Sequence, residues 1–406
     1  MRAPSVDVLV LSLSPYRFAT RARKAAHAIA TQRPTAYISL EAVGRTGVRD
    51  RPGSWVSDGV DITQVRVAAI KQSGSLGSRL WNLFIAYLPA HRRLARQVLN
   101  QPSKVVYVTS PALVDLGMRH RKRYASDLIV DVPERPGSVV ARGSLATIFA
   151  RIERQRLRLA AKQSVLATVA VGEDAPFLRQ LGYPAVSEVR NAPLESWRAP
   201  FHPPLNSNGR PLRGVLIGSL FESRGLEQVV DSLRVLRERG IAVSVTIAGP
   251  GRDDYLAALR SRAESAGVAD LVTWLGPVAS HEVSALYLAH DFGFVLYDPS
   301  TPGNDGLSNK ILECVASGRP VLAGDLPQNR RFVETHRVGW LTSVTAESIA
   351  DSLTLISQNR EKLIEYSRRC RNLGDTELTW EAEIRPVIEA ITDPRGRAVR
   401  TRRSAE

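Results

Sequence analysis

The sequence predicts an α/β protein made of two doubly wound, parallel-sheet domains. Short apolar runs alternate with helical patterns along the whole chain, and this alternation is typical of parallel sheets covered by helices. At 406 residues the chain is too long for one ordinary core. A stretch rich in proline, asparagine and glycine, residues 200–211, interrupts the alternation near the middle. We therefore expect two domains joined by a linker.

The elements of the first half follow the expected strand–helix order. We predict strands at residues 6–11, 36–40, 104–109, 127–132, 166–171 and 185–189. We predict helices at residues 21–30, 111–124, 145–164 and 174–181. No G-x-G-x-x-G motif follows the first strand, which argues against an NAD-binding first domain.

The second half restarts the same rhythm after the linker. We predict strands at residues 214–217, 243–248, 272–275 and 292–296, with a further one beginning at 320. We predict helices at residues 226–239, 253–266, 280–289, 309–317, 347–355, 358–371 and 380–391. The resulting domains are residues 1–195 and 213–377, separated by a linker at 196–212. Residues 393–406 carry five arginines and no apolar pattern, so we expect a disordered basic tail.

The composition narrows the class of protein. A hydrophobic content of 44% and a charged content of 23% are typical of globular proteins. Two cysteines provide neither a disulfide framework nor metal-ligand spacing, and no signal peptide or membrane span is evident. We therefore expect a cytoplasmic protein. The net charge of +15 favours anionic partners such as nucleotide sugars, lipid phosphates or nucleic acid.

Two basic segments of the first half have two interpretations each. Residues 71–98 combine aromatic and aliphatic side chains with flanking arginines, which suits either ordinary helix packing or peripheral contact with an anionic membrane. Residues 119–123 form a basic cluster that suits either a solvated helix face or a lipid-phosphate contact.

The stretch from Gly303 to Asp325 carries the clearest chemistry. A glycine-rich loop precedes a short helix, and such a loop lets backbone N–H groups surround an anion at the positive end of the helix dipole. Lys310 in the first turn is unfavourable against that dipole unless an anion binds nearby. Glu313 lies on the same helix face and is suited to accept hydrogen bonds from ribose hydroxyls. The pattern indicates a nucleotide diphosphate with its sugar, the alternative being a capped helix with a surface ion pair.

Glycines follow several other predicted strands of the second half. Gly218, Gly249 and Gly276 each come directly after a strand, and residues 303–306 follow the fourth. Ligands of parallel α/β sheets bind at the carboxyl ends of the strands. The coincidence predicts one ligand site lined by these loops.

These residues resemble the retaining glycosyltransferases of family 4. Residues 308–323 are similar to the signature P-N-K-L-x-E-Y-L-A-A-G-x-P-V, and residues 218–227 to the G-x-x-x-x-x-K/R-G loop. Residues 247–251, 274–278 and 380–381 resemble the I-x-G-x-G turn, the F-L-G-x-V segment and the W-E opening of the C-terminal helix. In the first half, residues 190–191 resemble the end of the N-terminal domain, and residues 131–134 resemble a D-x-H-E segment.

The resemblance implies the GT-B fold, with two Rossmann-like domains facing a central cleft. A C-terminal helix at about residues 378–392 would cross back to complete the first domain. The donor is implied to be a nucleotide-diphosphate sugar, bound without a metal or other cofactor. The implied donor-binding residues are Arg224, Gly249, Gly251, Val278, Gly306, Leu307, Ser308, Lys310 and Glu313. Glu313 would bind the ribose, while Arg224 and Lys310 would neutralise the pyrophosphate.

Two departures from the family pattern concern the implied catalytic carboxylates. Asp305 stands where the family's E-x7-E pair has its first glutamate, so the side chain is shorter. Pro133 stands at the histidine of D-x-H-E, while Glu134 is kept. The resemblance therefore implies Glu134 and Asp305 as catalytic residues. An alternative for Glu134 is a simple ion pair with Arg135.

The resulting hypothesis is a retaining glycosyltransferase acting on a lipid-linked or cell-envelope glycan, with peripheral contact at the cytoplasmic membrane face. A natural-product glycosyltransferase, a sugar-nucleotide epimerase and a catalytically inactive glycosyltransferase-like subunit are the alternatives. Nucleic-acid binding is disfavoured because aromatic residues do not alternate with the basic ones and no known motif appears.

Overall fold

The computed structural model describes residues 5–16, 20–40, 53–65, 67, 88–136, 144–204, 210–300 and 306–393. The chain divides into two compact units, of which the first joins Met1–Arg190 to Ile384–Glu406 and the second is Asn191–Glu383. Each unit contains a sheet dominated by parallel strands. The predicted α/β class with two Rossmann-like sheets is confirmed.

The first unit contains an eight-stranded sheet. Its strands are β1 (Val6–Ser12), β2 (Thr35–Leu40), β3 (Gly53–Ser57), β4 (Val60–Val65), β5 (Ser103–Val108), β6 (Asp127–Val132), β7 (Ser164–Val169) and β8 (Val186–Glu188). The strand order is β3-β4-β2-β1-β5-β6-β7-β8. All pairings are parallel except that of β3 with β4, which is an antiparallel hairpin at the sheet edge.

The sequence analysis did not predict the β3–β4 hairpin. Its turn is Asp58-Gly59, both with positive φ (52° and 75°). β3 is mostly exposed, so it lacks the apolar run that marks a buried strand. β4 pairs in parallel with β2 and buries alternate residues.

Four helices cover one face of this sheet. Between residues 1 and 190 the first unit has five described α-helices. They are α1 (Thr20–Ala30), α2 (Leu88–Asn100), α3 (Val114–Tyr124), α4 (Ser144–Ala161) and α5 (Ala175–Gln180). The connections through α2, α3, α4 and α5 all step in the same direction across the sheet, whereas the connection through α1 steps in the opposite direction. Because such crossovers are right-handed, α2–α5 lie on one face and α1 lies on the other. Helix α3 packs against both α2 and α4.

The second unit contains a six-stranded, fully parallel sheet. Its strands are β9 (Leu212–Ile217), β10 (Val243–Ala248), β11 (Val272–Leu275), β12 (Phe292–Val295), β13 (Val321–Gly324) and β14 (Gly339–Thr342), in the order β11-β10-β9-β12-β13-β14. Its helices are α6 (Leu226–Glu238), α7 (Asp253–Ser265), α8 (Val283–Leu288), α9 (Asn309–Ala316), α10 (Pro327–His336), α11 (Ala346–Gln358), α12 (Arg360–Thr376) and α13 (Trp380–Glu383). The sequence analysis missed α10 and β14.

The C-terminal helical pattern is divided at a proline. The predicted helix 380–391 is two helices, α13 and α14 (Arg385–Thr392), and Pro386 lies in the first turn of α14. Proline has no N–H to continue the α13 ladder but is favoured in a first turn. Helix α14 belongs to the first unit, where it packs on β7.

Residues 191–204, which include part of the predicted linker, pack within the second unit. The guanidinium of Arg198 donates to the carbonyls of Ala316 and Gly374, each at 3.1 Å, and forms an ion pair with Asp375. The ring of Phe201 lies against Gly318, at 2.7 Å from where a Cβ would be. The predicted tail 394–406 and the aromatic part of the 71–98 segment lie outside the described residues.

None of the helices in the described ranges is long and apolar enough to cross a bilayer.

Candidate functional site

The carboxyl ends of four neighbouring strands define the candidate site. Gly218 follows β9, Gly249 follows β10 and Gly276 follows β11, and these strands are adjacent and parallel. The loop after β12 leads to Gly306, at the start of the next described segment. The predicted convergence of these loops is therefore present for the described residues, while Gly303 and Asp305 lie outside them.

Positive φ values favour glycine at two of these positions, and close backbone contact requires it at one of them, Gly249. Gly218 and Gly249 have φ values of +134° and +143°. A Cβ on Gly249 would lie 1.8 Å from the carbonyl oxygen of Gly218. The amide of Gly218 donates to the carbonyl of Ala248 at 2.9 Å, and the amide of Gly249 donates to that of Gly276 at 3.1 Å. The three loops are thereby tied into one surface.

Gly251 extends the contact between the loop after β9 and the turn after β10. It pairs with Leu220 in an isolated parallel bridge, and the amide of Leu220 donates to the carbonyl of Pro250 at 2.8 Å. The loop that carries Arg224 is therefore held against the turn after β10.

Arg224 is a buried cation at the centre of this surface, with 3% of its area exposed. Its Nη1 donates to the hydroxyl of Tyr297 at 2.9 Å and its Nη2 to the carbonyl of Ile217 at 3.3 Å. The guanidinium lies 4.6 Å from the centre of the Tyr297 ring. Its Nε is buried without a hydrogen-bond partner, and no carboxylate of the described ranges pairs with it. A buried cation with neutral partners is costly, and a bound anion would offset that cost.

Lys310 and Glu313 lie beside Arg224, in the first turns of α9. The hydroxyl of Ser308 caps this helix by accepting from the amide of Lys310 at 3.2 Å. The Nζ of Lys310 donates to Oε2 of Glu313 at 2.7 Å, and both side chains are about a quarter exposed (24%). The same-face prediction for these two residues is thus confirmed. The structure also joins them directly, whereas the sequence analysis gave them separate partners.

Gly218 is the point at which the two cations meet. A Cβ there would lie 3.0 Å from Cε of Lys310 and 3.3 Å from Nη1 of Arg224. Two cations thus converge on one glycine, and among the described residues a single carboxylate, that of Glu313, contacts one of them. The described part of the site therefore carries net positive charge at a helix N-terminus, which suits a polyanionic ligand.

Tyr297 is a site residue that sequence reasoning missed. Its hydroxyl accepts from Arg224 and also from Oγ of Ser308 at 3.3 Å, so it links the loop after β9 to the N-terminus of α9. A second tyrosine, Tyr287, is buried, and its hydroxyl donates to the carbonyl of Lys310 at 3.4 Å. Burial raises the pKa of Tyr287 well above its ordinary value, so its hydroxyl stays protonated. Only the position of Tyr297 directly after a strand end could have marked it.

The remaining predicted donor residues border the same surface. Leu307 and Val278 are partly buried against the core beneath α9, and Gly306 is exposed in a bend. This arrangement leaves apolar side chains beside the cationic centre.

Neither of the two predicted catalytic carboxylates lies in the described part of the second unit. Asp305 lies outside the described residues, and Glu134 is exposed in the first unit, directly after β6. Arg135 forms its ion pair with Asp174 at 2.6 Å. The catalytic assignment of Glu134 and Asp305 stays a prediction.

The D-x-H-E-like segment contains a different, buried pair. Asp131 is 1% exposed and accepts two hydrogen bonds from Arg21, each at 2.8 Å, and one from Thr168 at 2.6 Å. Arg21 also donates to the carbonyl of Val189 at 2.6 Å. The pair ties α1 to the ends of β6, β7 and β8, which is a structural role.

The second unit matches a known family. Residues 212–359 match the family model described as Glycosyl transferases group 1, a span that runs from β9 to the end of α11. The span includes Arg224, Lys310 and Glu313. Residues 212–359 are a glycosyltransferase group 1 domain.

Two curated proteins that are similar to this chain are named as sugar transferases. The chain is 29% identical over 197 residues to the putative colanic acid biosynthesis glycosyltransferase WcaL of Escherichia coli (strain K12), covering 46% of this chain and 47% of WcaL. It is 27% identical over 170 residues to the GDP-mannose-dependent alpha-(1-6)-phosphatidylinositol monomannoside mannosyltransferase of Mycobacterium tuberculosis (strain CDC 1551 / Oshkosh), covering 41% and 44%. The chain thus spans about half the length of the curated relatives it matches.

Solved structures share the fold over almost the whole chain. Anabaena Alr3699/HepE, solved in complex with UDP and glucose, superposes with a TM-score of 0.67 at 13% identity, covering 95% of this chain and 99% of HepE. WaaG, a glycosyltransferase involved in lipopolysaccharide biosynthesis, gives a TM-score of 0.62 at 14% identity, covering 95% and 100%. At these identities the comparison establishes the GT-B fold.

Proposed function

We propose that the protein transfers a glycosyl group from a nucleotide-diphosphate sugar to an acceptor, with retention of configuration. One observation carries the proposal: Arg224 is buried beside Lys310 with no carboxylate of its own among the described residues, at the carboxyl edge of a glycosyltransferase group 1 domain. A bound anion would offset the cost of burying a cation that has no carboxylate partner and whose Nε makes no hydrogen bond.

Each donor group has a matching partner in the proposal. The diphosphate lies over Gly218 and accepts from Arg224, from Lys310 and from the backbone amides of residues 306–308. Glu313 accepts from the ribose hydroxyls. Val278 and the turn at residues 249–251 border the base. When the diphosphate binds, Lys310 exchanges its bond to Glu313 for one to a phosphate oxygen, which frees the Glu313 carboxylate for the ribose.

The leaving group explains why fixed cations matter here. Cleavage of the glycosidic bond leaves a nucleoside diphosphate, and negative charge develops on its β-phosphate oxygen. Arg224 and Lys310 stabilise that charge in the transition state, so the proposed reaction requires no metal ion. Glu134 and Asp305 remain the proposed catalytic carboxylates.

The proposed acceptor is a lipid-linked or cell-envelope glycan at the cytoplasmic face of the membrane. The names of the WcaL and phosphatidylinositol mannoside relatives support this class of acceptor. The net charge of +15 also suits an enzyme that works beside anionic lipids.

Release of nucleoside diphosphate from a panel of UDP- and GDP-sugars tests the proposal. We expect turnover with at least one donor in the presence of EDTA, and a loss of about tenfold or more in kcat/KM for Glu313→Ala. Glu264→Ala is the matched control, because Glu264 is exposed at the far end of α7. The proposal fails if no sugar nucleotide turns over. The site assignment fails if Glu313→Ala and Glu264→Ala behave alike.

A further inference from the structure

We infer that the outer face of α2, α3 and α4 is a docking surface for membranes rich in anionic phospholipids. This face, called the basic face below, belongs to the first unit, whereas the residues of the donor site described above belong to the second. The inference deepens the proposed function, since it names the surface through which the enzyme would reach a lipid-linked acceptor.

The basic face collects exposed cations from three consecutive helices. These helices lie side by side on one face of the sheet, as described above. Their exposed basic residues are Arg92, Arg93, Arg96, Arg119, Lys122, Arg123, Arg151, Arg154, Arg158 and Lys162, the last directly after α4. On α4, the residues at 151, 154, 158 and 162 follow helical spacing and form one stripe.

Negative charge does not compensate this face. The described residues of the three helices include two acids, Asp115 and Glu153. Asp115 pairs with Arg156 at 2.7 Å. Glu153 is partly buried, and burial raises its pKa above the ordinary value. Within the described ranges, no ion pair engages Arg92, Arg119, Arg151 or Arg158, so their charges face solvent.

Three exposed aliphatic side chains lie among these cations. Leu88 on α2 and Ile152 on α4 are each 41% exposed, and Leu159 is 55% exposed. Ile152 and Leu159 are seven residues apart and share a side of α4, next to Arg151 and Arg158. Aliphatic residues flanked by arginines suit the boundary between lipid headgroups and acyl chains.

The shape and composition favour a lipid surface over nucleic acid. Neighbouring helices pack about 8–10 Å apart. Helix α4 has 18 residues and is therefore about 27 Å long. The cations of the three helices are thus spread over a broad area and not along a narrow groove. Single-stranded nucleic acid is bound by stacking on aromatic rings. Of the side chains that the structure describes on these helices, Tyr124 is the aromatic one. Its ring packs on His120 and its hydroxyl donates to the carbonyl of Leu99 at 2.6 Å.

Co-sedimentation of the full chain with vesicles tests the basic face. We expect binding to phosphatidylcholine vesicles that contain about a third phosphatidylglycerol, weakening as salt rises, and no binding to pure phosphatidylcholine. The double variant Arg151→Glu/Arg158→Glu should lower the partition coefficient by about tenfold or more. Leu159→Ser should lower it by a few-fold, because one buried aliphatic side chain is lost.

The matched control is Arg368→Glu/Arg385→Glu, which changes the net charge equally at exposed positions on α12 and α14. Circular dichroism of each variant confirms that it is folded. Equal losses in both double variants would overturn the assignment to this face, and so would absent binding of the unaltered chain. Preferential binding of a single-stranded oligonucleotide, lost in Arg151→Glu/Arg158→Glu, would instead assign the face to nucleic acid. Sedimentation requires no turnover, so this test fails or succeeds independently of the proposed reaction.

Discussion

Two arginines with little exposed surface, Arg21 and Arg224, lie at the carboxyl edges of the two sheets and differ in whether a carboxylate pairs with them. Arg21 is held by Asp131 in a two-point ion pair, with Thr168 and the carbonyl of Val189 completing the network. Arg224 has a tyrosine hydroxyl, an aromatic ring and one carbonyl as partners. The first arginine is paired with a carboxylate and has a structural role, whereas the second has no carboxylate partner among the described residues, and we propose that it binds the donor's diphosphate. Burial alone therefore does not identify a functional arginine. Arg319 is also buried, but its Nε donates to the carbonyl of His290, whereas the Nε of Arg224 has no hydrogen-bond partner.

Removing the carboxylate in the first unit should have the largest effect. Asp131→Ala removes the buried carboxylate that pairs with the largely buried Arg21, so we expect the free energy of unfolding to fall by about 3 kcal/mol. Chemical denaturation measures this loss, and nucleotide affinity should be unchanged. Asp61→Ala, at an exposed position of β4, is the control and should cost less than about 0.5 kcal/mol. A loss for Asp131→Ala as small as that of the control would contradict the structural role of the pair.

The second largest loss of stability should come from a change in the backbone of the loops around Arg224. Gly249→Ala forces a Cβ against the carbonyl of Gly218 at a φ of +143°. We expect a stability loss of about 3 kcal/mol and weaker nucleotide binding, because the loops must separate. Gly276→Ala is the matched control, since its Cβ would meet no atom within 4 Å. Equal melting temperatures for the two variants would mean that the close loop contact is dispensable.

The third prediction tests the uncompensated charge itself. Arg224→Met should weaken the affinity for UDP or GDP by about 30-fold or more, through loss of charge-assisted hydrogen bonds. Stability should stay the same or rise, because a buried cation without a carboxylate is removed. Calorimetric titration and thermal unfolding measure the two quantities. Arg234→Met, on the exposed side of α6, should change neither. A large stability loss with unchanged affinity would place Arg224 in the same class as Arg21.

The smallest effect should come from the residue that positions Arg224. Tyr297→Phe keeps the ring under the guanidinium but removes the hydroxyl that accepts from Arg224 and Ser308. We expect about 1 kcal/mol, or about fivefold, in nucleotide affinity. Tyr366→Phe, on α12, is the control. An unchanged affinity in the Tyr297 variant would show that stacking alone positions the guanidinium.

Most of the fold could be predicted because buried parallel strands are continuous apolar runs. Residues 127–132 and 243–248 were predicted with the bounds of β6 and β10. Helix α10 was missed because it is largely polar, and the β3–β4 hairpin was missed because β3 is mostly exposed and β4 alternates instead of forming a continuous apolar run. The division of α13 from α14 was missed because Pro386 is compatible both with a helix start and with a kink.

The candidate site could likewise be predicted only in part. The glycine positions after β9, β10 and β11 and the Lys310–Glu313 face follow from local spacing, and the structure brings them together. The contacts of Tyr297 with Arg224 and of Arg21 with Asp131 join residues 73 and 110 positions apart. No local spacing predicts such contacts.

By itself, the sequence determined the α/β class, the loops at the strand ends and the residues resembling a nucleotide-sugar site, because periodicity and glycine positions are local properties. Only the tertiary structure decided that Arg21 pairs with a carboxylate while Arg224 has none among the described residues, and that three helices present one basic face. Compensation and shared surfaces depend on packing between elements far apart in the chain, and packing is not encoded in any single stretch.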